Sequence, residues 1–135
     1  SSTQVVRGTR VLYLTIFGAL RSVPLDGSAP SVAINTPLVV GSEVVSLLSG
    51  WQISLDGTLA LYVADERQDE RFELFARPID ASAPAVVLTS PMLHPGGVQI
   101  EPSQDLLLLQ SATHVVYRSN HEEPAVTELF SSELP

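Results

Sequence analysis

The sequence matches itself when slid by about 55 residues, and a chain built from copies of one unit has few folds open to it. A shift of 55 lays residues 51–75 on 106–130 without a gap. It brings Thr58 onto Thr113, Tyr62 onto Tyr117 and Glu73-Leu74-Phe75 onto Glu128-Leu129-Phe130, while Gly41 meets Gly96 in the preceding loop. A shift of 54 lays LRSVPLDGSAP (20–30) on LFARPIDASAP (74–84), with six of eleven positions identical. Val32 and Pro37 extend that match to Val86 and Pro91. A shift of 49 puts RVLYL (10–14) on 59–63, with Tyr13 on Tyr62. The first copy therefore has an inner connection about five residues shorter, closing at Phe17-Gly18.

The copy spanning 51–91 is complete and reads as four antiparallel strands, A to D. Strand A, 51–54, ends at Asp56-Gly57, a hairpin signal because glycine accepts the positive φ of the turn. LALYV (59–63) is rich in β-formers and reads as strand B, buried on both faces. DERQDER (65–71) is charged without apolar periodicity and reads as a solvated connection. FELFARPI (72–79) alternates as strand C, with Phe72, Leu74 and Ala76 on one face and Glu73, Phe75 and Arg77 on the other. Pro78, lacking an amide donor, belongs near a strand end. DASAP is the next turn, and 85–89 is strand D, stopped by Ser90-Pro91.

Transferred to the other copies, the pattern predicts a remnant of A near 4–6, B at 10–16, C at 19–25 and D at 31–35. The segment 37–49 is a long connection with strand character at 44–48. In the last copy, 98–101 precedes A at 106–110, B at 114–118 and C at 126–131, with no D strand before Pro135. The run LLLLQ favours helix intrinsically, but its alignment with WQIS and the strand pattern after it favour a strand. One domain of three units results: about 3–36, about 44–91, and about 97–135, the last lacking its final strand.

Composition narrows the function. Apolar content of 44% against 16% charged excludes disorder. The net charge is -8, and all seven basic residues are scattered arginines, so no basic stripe exists to neutralise phosphates and nucleic-acid binding is disfavoured. No apolar run is long enough to span a membrane as a helix. The opening SSTQVVRG lacks the layout of a signal peptide. Without cysteine there is neither a disulfide framework nor a thiol nucleophile.

Four-stranded units with DGT after A, a tyrosine in B, and an ELF-type C strand running into P-[LI]-D-x-S-A-P resemble the TolB-type, WD40-like β-propeller repeat. The same repeat occurs in the propeller domains of prolyl-oligopeptidase-like peptidases. The resemblance covers nearly the whole chain. The family's I-S-P-D-G reads Ile53-Ser54-Leu55-Asp56-Gly57 in the second copy and decays to Leu109-Gln110-Ser111-Ala112 in the third. It implies an all-β fold of about three four-stranded antiparallel blades, a partial propeller, where the family has six or seven in a ring. A periplasmic or extracellular setting follows from the resemblance alone. Three blades leave two apolar faces and an open edge, so the expected partners are a protein or a second copy, with a homodimer completing a six-blade ring.

Candidate chemistry is sparse. Asp65, Glu66, Asp69 and Glu70 offer carboxylates for a cation, but Arg67 and Arg71 interrupt them and the spacing of a calcium loop is missing, which favours a solvated connection. His94 (in LHPGG, with Gly96 and Gly97), His114 and His121 (in SNHEEP, beside Glu122) are the only histidines; no pair has metal-ligand spacing. No G-x-S-x-G elbow and no phosphate loop occurs. Glu73 and Glu128 repeat as architecture does, and Trp51 reads as packing between units. The expectation is a non-catalytic segment, without cofactor or metal, acting as a protein-interaction or ligand-binding scaffold. Its binding residues would be His94, Gly96, Gly97, Asp65, Asp69, His121 and Glu122. The alternative is the propeller domain of a larger peptidase or lyase whose catalytic part lies outside this chain.

Overall fold

The computed structural model describes residues 4–15, 19–35, 51–65, 67, 72–89, 108–119 and 128–135. They form eleven strands and no helix, arranged in three antiparallel sheets. The first sheet has the order β1 (Gln4–Arg7), β2 (Arg10–Leu14), β3 (Leu20–Pro24), β4 (Val32–Ala33). The second has β5 (Trp51–Ile53), β6 (Leu59–Ala64), β7 (Glu73–Pro78), β8 (Val86–Val87). The third has β9 (Leu108–Gln110), β10 (His114–Ser119), β11 (Glu128–Glu133). Every neighbour within a sheet is also a neighbour in sequence, so each sheet is a meander whose strands pair through local connections.

The register repeats along with the residues. Tyr13 lies opposite Arg21, Tyr62 opposite Phe75 and Tyr117 opposite Phe130, each tyrosine on the second strand of its sheet. The last two pairs stack with ring centroids 5.3 and 6.0 Å apart. The amides of Leu25, Ile79 and Leu134 donate to the carbonyls of Thr9, Thr58 and Thr113 at 2.8–2.9 Å, closing each sheet at the same corner. The two P-[LI]-D-x-S-A-P segments fold alike. Asp26 and Asp80 each accept the amide of the serine two residues on, at 2.9 and 3.0 Å, and the residue between is left-handed: Gly27 at φ 69° and Ala81 at φ 60°.

The A–B turns differ. Gly8-Thr9 and Ala112-Thr113 are two-residue loops, whereas 55–58 is a four-residue loop in which Gly57 (φ 79°) donates its amide to the carbonyl of Ser54. The ungapped shift of 55 therefore fails across this turn. Leu108, not Leu106, lies opposite Tyr117 as Trp51 lies opposite Tyr62, and Gln110 takes the place of Ile53. A run of four leucines carries no alternation to mark its register, so the shorter turn sets it.

Alternation along the second sheet feeds two cores. Trp51, Ile53, Ala60, Tyr62, Ala64, Phe75 and Ile79 pack against Leu12, Leu14 and Leu20 of the first sheet and against Ile34, the residue following it. On the opposite face Leu61, Val63, Phe72, Leu74, Ala76 and Leu88 pack against Val115 and Tyr117, with Phe130 and Leu134 at the margin. The middle sheet is thus buried on both faces, as the unbroken apolar run of β6 requires. Fully burying one such aliphatic or aromatic side chain is worth about 1.5–3 kcal/mol, which makes these two seams the main source of stability.

Two polar clasps tie the sheets together. Arg77 donates through Nη1 to the carbonyl of Ile34 at 2.7 Å, joining the second sheet to the first, and through Nε to Ala83 at 2.9 Å. Gln110 donates to Oε1 of Gln52 at 2.7 Å and to the carbonyl of Ile53 at 3.1 Å, joining the third sheet to the second. The expected strand stretches at 44–48 and 98–101 lie outside the described residues.

Candidate functional site

In sheets of this order the A–B and C–D turns share one end, and the B–C connections and the segments leading to the next sheet share the other. Of the residues expected from sequence to bind a ligand or partner, Asp65, which follows β6, stands at this second, loop end. His94, Gly96, Gly97, Asp69, His121 and Glu122 lie outside the described residues. Asp65 is described, and it is not the solvated loop carboxylate that the charge run suggested: its exposure is 1%. Strand β6 continues its burial through Ala64 into Asp65, because the second sheet is covered on both faces up to this end.

Glu73, which opposes Ala64, is equally enclosed. Arg67 grips it with both prongs, Nε to Oε1 at 2.9 Å and Nη2 to Oε2 at 2.6 Å. The Arg67 side chain is 60% exposed while that of Glu73 is 3% exposed. A buried carboxylate held by a forked donor has its charge compensated by that partner, so Glu73 ties Arg67 of the B–C connection to β7. Asn35 and Thr89 occupy equivalent buried positions at the same end. The Asn35 Oδ1 accepts the amide of Leu20 at 2.8 Å, which ties the end of the D segment to the start of C.

The turn end carries two open hollows that share Arg10. One, of about 460 Å³, lies within the first sheet between Gly8, Thr9, Pro24, Leu25, Asp26 and Ser28. The other, of about 400 Å³, lies between the first two sheets and is lined by Thr9, Gly57, Thr58, Pro78, Ile79, Asp80 and Ser82. Arg10 donates from Nε to the Ser22 hydroxyl at 2.7 Å, which orients its guanidinium along the hollows. The Ser82 hydroxyl and amide, and then the charge of Arg10, hold the Asp80 carboxyl below its ordinary value; Ser28 does the same for Asp26. Each carboxylate is engaged in its own turn, and Arg10 faces acids, so these hollows offer polar contacts without a concentrated charge of one sign.

Reactive groupings are missing among the described residues. No three metal-ligating side chains cluster there. His114 is exposed, and its Nδ1 lies 2.7 Å from the Thr113 hydroxyl, an adjacent residue on a turn with no third group to orient the pair. Sequence reasoning missed Arg10, Arg77 and Gln110, whose roles depend on facing a neighbouring sheet; at the position of Arg10 the other copies carry Leu59 and His114, so the repeat gave no signal. Compared with known proteins, the chain matches no family model, no curated protein and no solved structure.

Proposed function

We propose that this chain is a segment of a TolB-like β-propeller that acts as a non-catalytic scaffold, binding a protein or other ligand at its loop end and self-associating through its open blades. One observation carries the reading: three meanders with matching register stack in sequence, and each presents its tyrosine face in the same direction. Tyr62 faces the first sheet and Tyr117 faces the second, while Tyr13 lies on the open face of the first. Successive blades around an axis repeat their orientation in this way. Contact between β1 and β5, and between Gln52 of β5 and Gln110 of β9, further supports it, because first strands of blades converge on the axis.

The scaffold reading is supported by the engagement of Glu73, Asp26 and Asp80 in internal bonds, which leaves them structural work rather than acid–base work. The binding surface is the loop end, where Asp69, His94, Gly96, Gly97, His121 and Glu122 fall in sequence, since loops held by rigid sheets carry recognition. Two measurements test the proposal. The purified chain should hydrolyse neither chromogenic esters nor peptides above buffer; turnover abolished by replacing His94 or His121 would overturn it. A photo-crosslinker placed at His121 should label one partner in extracts of the source cells, and the same group at Ser82 on the turn end should not. Equal labelling from both ends would remove the loop end as the binding surface.

A further inference from the structure

Resting on the propeller reading above, we infer that the open face of the third sheet docks onto the open face of the first sheet of a second copy, head to tail, so that two chains close one ring through two identical seams. The repeat states what each open face is built to meet. On the third sheet, Val116 and Leu129 occupy the places of Leu61 and Leu74, which the second sheet buries against its successor. Leu109 lies directly opposite Val116, and Leu109 and Leu129 are 55% and 61% exposed, the latter the most exposed large apolar side chain among the described residues. On the first sheet, Val11, Tyr13 and Ala33 occupy the places of Ala60, Tyr62 and Val87, which the second sheet buries against its predecessor. Each face is therefore one half of a seam that already occurs twice within the chain.

Area decides between one seam and two. A three- or four-stranded face with strands of about five residues projects onto roughly 300 Å². One seam then covers about 600 Å² on the two copies together, below the ~1,200 Å² of a specific complex, and two seams reach that threshold. Closure also uses both open faces, so growth stops at two copies.

The seam is less apolar than the internal ones. Arg21 stands where the second sheet has Phe75, and Arg118 stands where it has Val63. Both arginines belong to the open faces, and each copy carries a net charge of -8, so docking brings two chains of like charge together. This predicts a reversible association in the micromolar range that tightens with added salt. Arg21→Phe, which restores the repeat's own residue, should strengthen it about tenfold.

Sedimentation velocity of the 135-residue chain from 1 to 200 μM should show monomer passing to dimer and no larger species. Leu129→Asp and Leu109→Asp, both at exposed positions, should each weaken association at least tenfold while leaving the circular dichroism unchanged. The chain lacks cysteine, so single cysteines report the geometry directly. A short bismaleimide should join Leu129→Cys to Arg21→Cys only when the two variants are mixed. Monomer at every concentration, or Leu129→Cys joining to itself, would overturn head-to-tail docking. A ladder of trimers and tetramers with the mixed cross-link retained would support the seam and instead overturn the propeller, because a stack without curvature cannot close.

Discussion

Asp56 holds its turn with a single oxygen: Oδ1 accepts the Ser54 hydroxyl at 2.6 Å, the Thr58 hydroxyl at 2.7 Å and the Thr58 amide at 3.0 Å. These donors, the Ser54 hydroxyl foremost, lower its pKa from the ordinary 3.8, as the serines lower Asp26 and Asp80. A carboxylate depressed in the folded state adds stability that is present above the unfolded value and is lost as pH falls through the folded one. The urea midpoint, followed by the fluorescence of the fully buried Trp51, should accordingly hold steady from pH 7 to 5 and fall below about pH 4. Asp56→Ala should cost about 1 kcal/mol at pH 7 and make the acid limb shallower; an unchanged acid limb would show that the turn carboxylates are not responsible. The paired left-handed residues give a second expectation. Ala81 at φ 60° carries strain that Gly27, in the same turn one unit earlier, does not. Ala81→Gly should stabilise the chain by up to about 1 kcal/mol and Gly27→Ala should destabilise it by a similar amount, measured as shifts in urea midpoint. Matching signs for the two would show that the turns are not equivalent.

Among the elements, the strands that sequence located best are those with both alternation and a repeat partner. The C strand of the middle copy divides as its pattern requires, with Leu74 and Ala76 in one core and Phe75 in the other. Where a pattern is uniform, as in the leucine run before Gln110, the turn decided the register, two residues away from the ungapped match. The charge run after β6 misled for a related reason: charge predicts solvation only where no neighbouring sheet covers the chain, and Asp65 is covered. The clasps between sheets were invisible in advance because they join residues 43 and 58 apart. Their weight can be measured. Arg77→Ala removes the bonds to Ile34 and Ala83 and should cost about 1–2 kcal/mol. Arg77→Lys should recover less than half of this, since one ammonium cannot reach both carbonyls as the planar fork does. Full recovery by lysine would reduce the clasp to a simple charge effect.

At the scale of the molecule, a middle sheet buried on both faces stands between two sheets buried on one. The outer sheets therefore leave apolar side chains in water, Leu109 and Leu129 on one side and Val11 and Tyr13 half-covered on the other. If those faces meet in a second copy, folding and association are linked, and the thermal midpoint should rise with concentration. Between 2 and 200 μM a rise of several degrees is expected by calorimetry, absent in Leu129→Asp; a midpoint independent of concentration would count against association. The loop end follows the same division. Of the seven residues that loop motifs assign to binding, only Asp65 is among the described residues, and it lies inside the protein.

The order of amino acids was enough to specify the three antiparallel sheets, the place of nearly every strand among the described residues and the two aspartate turns. These follow from local alternation, turn chemistry and self-similarity, all of which act over a few residues. Packing of sheet on sheet settled the remainder: the register of β9, the burial of Asp65, the bonds of Arg77 and Gln110, and which faces were left open. Those outcomes depend on which surfaces meet across distant parts of the chain, and a local pattern carries no record of that meeting.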